Sequence, residues 1–191
     1  LTAPNGQAQQ QLLRAAFGDA MVAIGDAAAL EAHGTGTSLG DPIEAGAVAA
    51  VLLAQRSADP LVAGSLKANA GHTEPGAGLA GSLKLLVQLQ DGAMSPNTQL
   101  RVLNAHVGAS LRGQPPCALP AQVGGLGDGS RGGLGGVSSF GYSGTIVHAL
   151  IRIVQTKRAT HQALLKLSHM QRAFEWSKLL WSFLPGFVTI N

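Results

Sequence analysis

The alternation of short apolar strand-like runs with helical periodicities predicts an α/β fold of stacked layers. Three observations carry this expectation. The strand-like stretches near residues 28–32, 61–66 and 146–154 are apolar and are separated by segments of helical pattern. Glycine is abundant, 26 of 191 residues, alongside many alanines, and small residues favour tight turns and close helix–sheet packing. A length of 191 residues is enough for one domain with a real core.

Each element follows in order. Residues 7–17 are expected to be helical, with Leu12, Leu13 and Ala16 on one side. A strand over Ala28–Ala32 ends at His33. A helix starts at Asp41-Pro42-Ile43-Glu44 and runs to about Gln55. Asp41 serves as its cap, Pro42 fits the first turn, and Glu44 stands at the capping-box position. Leu61–Leu66 is a second strand, and Lys67–Pro75 is a loop carrying His72. A buried helix over Gly76–Leu89 carries a seam of Leu79, Leu83, Leu86 and Leu89, and its Gly76, Gly78 and Gly81 indicate a tight neighbour. Ser95-Pro96-Asn97 is a turn, and residues 113–136 are Gly/Pro-rich and irregular. Ile146–Val154 is β-branched and reads as a buried strand. His148 falls inside it as a core residue, whereas His106, His161 and His169 read as surface or structural residues.

Composition changes near residue 151–155. Residues 1–150 hold seven Lys/Arg and nine Asp/Glu, whereas residues 151–191 hold six Lys/Arg and one Glu. The tail also contains five of the eight aromatic residues and one of the 26 glycines. Leu167, Met170, Phe174, Trp181 and Leu184 form a seam that predicts a tail helix ended by Pro185-Gly186. The organisation expected is therefore a motif-bearing part, 1–151, and a basic, aromatic-rich, helical tail, 152–191.

Several function classes are excluded. One cysteine allows no intrachain disulfide. No run approaches the ~18 apolar residues of a membrane-spanning helix, and no signal-peptide pattern opens the chain. No compartment is assigned. A start at Leu1 reads as a cut within a longer protein. His33, His72 and Asp41 lack metal-ligand spacing, so no metal is expected. The string Gly127-Asp128-Gly129-Ser130-Arg131-Gly132 fits a dinucleotide fingerprint only by its letters, with no strand before it and no helix after it. Nucleic-acid binding would rest on the charge of the tail alone and is not expected.

Chemistry concentrates in three segments. Glu31-Ala32-His33-Gly34-Thr35-Gly36-Thr37 and Lys67-Ala68-Asn69-Ala70-Gly71-His72-Thr73-Glu74 each place an imidazole after an apolar run and open into a small-residue turn. Such a pair suits two neutral N–H donors meeting at one substrate oxygen. Val137-Ser138-Ser139-Phe140-Gly141-Tyr142-Ser143-Gly144-Thr145 supplies a glycine-rich loop through which a backbone can approach a ligand. Taken singly, either histidine also reads as a structural residue at a strand end, and Lys67 as a solvated charge.

These three segments in this order, with Gly40-Asp41-Pro42-Ile43-Glu44-Ala45 between the first two and Leu1-Thr2-Ala3-Pro4-Asn5-Gly6 ahead of them, resemble the β-ketoacyl synthase family in the form found in polyketide synthases. The resemblance covers roughly residues 1–151. It implies a thiolase-like layered α/β/α/β/α fold of two similar halves, of which this chain is the C-terminal half, and a homodimer when complete. It implies decarboxylative Claisen condensation, as in polyketide or fatty-acid biosynthesis. An acyl group rides on a cysteine in the missing N-terminal half, and a malonyl-type thioester supplies the enolate. The substrates arrive on the phosphopantetheine arm of an acyl carrier protein, and no bound cofactor is implied.

The same resemblance assigns roles. His33 and His72 match the pair that contacts the malonyl thioester, and Lys67 matches a lysine that organises the site, with Glu44 as its carboxylate neighbour. Thr35 and Thr37 match residues that bind the pantetheine arm. Phe140, Gly141 and Tyr142 match the oxyanion and gating loop, the Tyr142 N–H pairing with the N–H of the nucleophile. Tyr142 stands where a phenylalanine is usual, Ser143 where a glycine is usual and Ile146 where an asparagine is usual. Cys117, inside Gln114-Pro115-Pro116-Cys117-Ala118-Leu119-Pro120, is expected to be a spectator thiol because the prolines prevent the helix N-terminus that would lower its pKa. Without the upstream cysteine, the 191-residue chain alone is expected to be an inactive portion of an acyltransferase. Two other readings remain. One is a ketosynthase-like partner that shapes a pocket or dimer without condensing. The other, disfavoured by the two-histidine pattern with Lys67, is a thiolase-type enzyme using free coenzyme A.

Overall fold

The computed structural model describes residues 3–56, 59–98, 100–113, 116–126 and 133–153. The expected tail helix, His161, His169 and the glycine string 127–132 lie outside the described residues.

The sheet has five strands in the order β4-β2-β1-β6-β7. These are β1 (Ala29–Glu31), β2 (Leu61–Gly64), β4 (Cys117–Ala118), β6 (Leu134–Phe140) and β7 (Ile146–Arg152). β1 runs parallel to both β2 and β6, with Leu30 opposite Ala63 on one side and Gly136 on the other. β2 is parallel to β4, and β6 is antiparallel to β7. A small antiparallel pair joins β3 (Ala93–Met94) to β5 (Gly124–Gly125).

Helices cover both faces. On one face lie α1 (Gly6–Asp19), begun by Asn5, whose side chain accepts the N–H groups of Gln7 and Ala8, and α2 (Gly40–Val48). Phe17, Leu13, Val48, Leu52 and Leu53 meet Leu30, Leu61 and Leu134 there. On the other face α4 (Ala77–Asp91) packs Leu85 and Leu89 against Ala29 and Val137. Because side chains alternate along a strand, β1 sends Leu30 to the first face and Ala29 to the second. All three of its residues are buried, as a central parallel strand requires.

Several expectations are corrected. α4 buries only part of its expected leucine seam, Leu89. Leu79 is 68% exposed and Leu83 55%, while Ala77, Gly81, Leu85, Gln88 and Leu89 face inward. Close approach selects that face. A Cβ on Gly81 would lie 3.1 Å from Glu31 Cγ, and one on Gly78 3.1 Å from Ser139 Oγ, so only the small-residue side lets the helix lie down on the sheet. The tight neighbour expected from Gly78 and Gly81 is thus the sheet itself.

β7 is an edge strand in which His148 is the buried residue and Val147 is half exposed. Among the described residues it pairs only with β6. Residues 113–136 hold β4, β5 and the start of β6, and α5 (Ala105–Leu111), begun by Asn104, has no counterpart in the sequence expectation. Lys67–Pro75 is not all loop: Lys67–Ala70 forms the short helix α3, and Glu74–Gly76 a 3-10 turn. The helix expected to run to Gln55 changes to a π-type turn at Ala49–Leu53.

Candidate active site

The site gathers where β1, β2 and β6 end, at the carboxyl edge of the parallel strands, which is the usual place for a ligand crevice in such sheets. β1 delivers His33, the segment after β2 delivers Lys67 and His72, and β6 delivers Phe140.

Asp41 and Glu44 do not cap α2. The residue before that helix is Leu39, whose side chain makes no capping hydrogen bond. Both carboxylates turn instead to the backbone of the loop ahead. Glu44, 6% exposed, accepts the N–H of His33 at 2.8 Å on one oxygen and that of Gly34 at 2.9 Å on the other. Asp41 accepts the N–H of Gly36 at 3.1 Å. Burial pushes both carboxyls up from their ordinary range, against the pull of these backbone donors. Gly34 at φ +44 and Gly36 at φ +77 sit in the left-handed region that glycine tolerates, and a Cβ on Gly34 would come within 2.9 Å of Ser65. Thr37 Oγ1 accepts the Gly40 N–H at 3.1 Å and lies 3.3 Å from Thr35 Oγ1.

The two imidazoles lie side by side. Their ring centroids are 5.9 Å apart and the planes are near perpendicular, at 86°. His33 Nδ1 accepts the N–H of Phe140 at 3.3 Å, and the Phe140 ring packs against it at 5.1 Å. His72 Nδ1 accepts the N–H of Glu74 at 2.8 Å. A nitrogen that accepts a backbone N–H carries no proton, so in both neutral rings the proton resides on Nε2. Glu74 makes its bond from a left-handed backbone, φ +48, unusual for a side-chain-bearing residue. Burial, then the nearby Lys67 and His72, lowers the pKa of His33 to about 4, which keeps it neutral at physiological pH. Burial also lowers Lys67, while Glu31, Glu44 and Asp41 oppose that fall.

A cavity of about 530 Å³ opens beside this pair. Thr35, Glu44, Lys67 and His72 form its polar side, and Leu103 and Val107 belong to its apolar side. His33 is not in its lining; the half-buried ring stands between His72 and Phe140. His72 does not end a strand: it follows α3 and Gly71, whose φ is +77. The turn after β6 closes with the Gly141 N–H on Thr145 O at 2.6 Å and carries Tyr142 at its tip, 81% exposed.

Four residues without an expected role also bind the site together. Glu31 accepts the N–H of Leu66 and takes Lys84 Nζ at 2.6 Å. Asn97 Oδ1 accepts the Ser65 N–H at 3.0 Å, and Ser65 donates to Gly34 O. A charged residue at the end of an apolar strand was the available signal for Glu31; nothing local marked Lys84 or Asn97. Cys117 lies in β4, and burial raises its thiol to about 11, which removes it as a nucleophile at neutral pH. Among the described residues no group of His, Cys, Asp and Glu could hold a metal ion, and no helix is long and apolar enough to cross a membrane.

Residues 1–101 match the family model described as β-ketoacyl synthase, C-terminal domain. The chain is 43% identical over 161 residues to the spectinabilin polyketide synthase system protein NorA' of Streptomyces orinoci, an alignment covering 79% of this chain and 4% of that protein. It is 40% identical over 160 residues to the mycoketide-CoA synthase of Mycobacterium tuberculosis, covering 81% of this chain and 4% of that one. The chain thus spans less than a tenth of either relative. Ketosynthase twelve of the bacillaene polyketide synthase of Bacillus amyloliquefaciens superposes with a TM-score of 0.71 at 29% identity, over 78% of this chain and 26% of that one. The module 6 ketosynthase of the bacillaene synthase of Bacillus subtilis 168 gives 0.70 at 31% identity, over 81% and 28%. The fold is therefore the thiolase-like fold of ketosynthases, as the motifs imply, and the chain belongs to the β-ketoacyl synthase C-terminal domain family.

Proposed function

We propose that residues 1–151 supply the two-histidine half of a ketosynthase active site, for decarboxylative condensation of a malonyl-type thioester with an acyl group held on a cysteine in a preceding N-terminal half. The observation that carries this reading is the perpendicular His33–His72 pair, each ring with Nδ1 engaged by a backbone N–H and its proton left on Nε2.

In this reading the thioester carbonyl oxygen of the malonyl unit lies between the two Nε2–H groups. The bond to the carboxylate breaks, CO₂ leaves, and its electron pair becomes the enolate, whose charge the two donors stabilise. The enolate carbon attacks the acyl carbonyl. The oxyanion formed there takes the N–H of Tyr142 and that of the cysteine, then collapses and expels the cysteine thiolate. Neutral donors suit this task, and a His33 pKa near 4 keeps the ring uncharged throughout. Lys67 sets the potential beside His33 and His72, and Glu44 fixes the His33 backbone. Thr35 and Thr37 offer hydroxyls to the phosphopantetheine arm of an acyl carrier protein, and the complete domain is a homodimer. Residues 152–191 lie outside this unit.

The test joins the chain to its natural upstream sequence and measures β-ketoacyl product from carrier-protein thioesters. The 191-residue chain alone is expected to form none. In the joined protein, His33→Ala and His72→Ala each lower kcat by the equivalent of about 2.7–4 kcal/mol of barrier. Condensation unimpaired in both variants overturns the roles. A non-condensing ketosynthase-like partner, the other reading of Ser143 and Ile146, is indicated if the joined wild type makes no product and its upstream half carries no cysteine at the strand-to-helix elbow.

A further inference from the structure

Glu31 is 2% exposed and its partner Lys84 10%, so this is an ion pair taken out of water between β1 and α4. Burying such a pair in place of apolar side chains gives little stability or none. Its geometry is unusual in where each oxygen goes. One carboxylate oxygen accepts the N–H of Leu66, the residue before Lys67. The other takes Lys84, on the helix that follows His72. The start of the segment carrying Lys67 and His72, and the middle of the helix that follows it, twelve residues beyond His72, are thus tied to a single carboxylate. That carboxylate sits two residues before His33 on the central strand.

We infer that the Glu31–Lys84 pair is a positioning element, which sets His72 and Lys67 against His33 by anchoring the start of their segment and the helix that follows it to the strand that carries His33. The inference rests on the two-histidine reading above for its functional consequence, though not for its geometry. Glu31 does not itself touch the reacting atoms. Lys84 neutralises and orients the carboxylate, and Glu31 transmits the constraint through the Leu66 N–H. A neighbouring bond works in the same sense: Ser65 gives its hydroxyl to Gly34 O and accepts the Lys67 N–H, both at 3.3 Å.

Two double variants separate positioning from mere burial. Glu31→Gln with Lys84→Met removes both charges but leaves an amide oxygen to accept the Leu66 N–H. Glu31→Leu with Lys84→Met removes the charges and the acceptor together. Ring-selective nuclear magnetic resonance of the 191-residue chain reads the nuclear Overhauser contact between His33 and His72 and the tautomer of His72. The Gln/Met protein is expected to keep both signals. The Leu/Met protein, folded by circular dichroism, is expected to lose the contact and to show mixed tautomers. In the chain joined to its upstream half, Leu/Met is expected to lower kcat for condensation about 100-fold, the scale of a small misplacement of catalytic groups, with KM for the malonyl thioester little changed. The Gln/Met protein is expected to rescue it. Wild-type ring signals in folded Leu/Met, or equal loss in both variants, overturn the inference. Failure of Leu/Met to fold overturns it as well, since the pair then serves the fold rather than the site. Should the condensation reading itself be wrong, wild type forms no product while the ring signals still separate the two variants.

Discussion

Glu44 spans two consecutive backbone N–H groups, those of His33 and Gly34, with one oxygen for each. This buried carboxylate on α2 therefore fixes the turn that ends β1 and, with it, the direction in which the His33 ring leaves the backbone. Glu44→Gln places an NH₂ against one of those N–H groups and leaves a buried donor without an acceptor. We expect a loss of about 1–3 kcal/mol in urea unfolding, together with a changed His33 ring environment. A variant as stable as wild type would show that the clamp does not hold the turn.

Acid should weaken the fold through two histidines. Burial lowers His148 to about 4, as it does His33 together with nearby positive charge, both from an ordinary 6.5. Below 6.5 the unfolded chain takes up protons that the folded chain refuses. Their contribution is complete above pH 6.5 and is lost as pH falls through 4, with a slope of up to about 1.4 kcal/mol per pH unit for each ring. Glu31, Glu44 and Asp41 are shifted upward, so each gives the opposite slope over its own range. The difference between wild type and His148→Gln isolates one ring. Unfolding midpoints between pH 4 and 7 should fall less steeply for the variant. Parallel curves would mean that His148, which stacks on Phe17 and bonds to Ser138 Oγ at 3.0 Å, titrates normally in the folded state.

Two glycines should respond in opposite directions to alanine. Gly34 combines φ +44 with a would-be Cβ 2.9 Å from Ser65, so Gly34→Ala strains the backbone and crowds the turn, at a cost of about 1–3 kcal/mol. Gly46 lies within α2 with open space where its Cβ would be, and Gly46→Ala should stabilise by about 0.5–1 kcal/mol through helix propensity. Thermal melts of the two variants test both signs at once.

Leu79, Leu83 and Val87 form a stripe at four-residue steps on the outer face of α4, each more than half exposed. Apolar stripes of this kind mark contact surfaces, and the ketosynthases this chain resembles are nearly four times the length of the part it matches. Leu79→Glu, Leu83→Lys and Val87→Glu together should leave stability within about 0.5 kcal/mol for each site while abolishing association with a separately expressed upstream half. Retained co-purification would place the partner surface elsewhere.

Local chemistry made much of this molecule legible. The strands at 29–31 and 61–64, the α1 and α4 helices and the three motifs can be read from apolar runs, caps and glycine-rich turns, because propensity and patterning act over a few residues. The close pairing of His33 with His72 was also expected, through the motifs that carry them. Other features depended on contacts far apart in the chain. Asp41 and Glu44 have the spacing of helix caps, yet unsatisfied N–H groups in the turn ahead of the helix claimed their oxygens. Leu79 and Leu83 of α4 read as core, yet Ala77 and Gly81 face the sheet beside Leu85 and Leu89, because small residues there let helix and sheet touch. Sequence by itself therefore pointed to the family, to its main strands and helices and to the candidate site residues. The tertiary structure alone decided which nitrogen of each imidazole keeps its proton, which carboxylate holds which N–H, and that Glu31 on β1 meets Lys84 on α4. Those outcomes depend on which donors and acceptors are left unpaired once the strands align, and that is a property of the assembled sheet rather than of any segment in it.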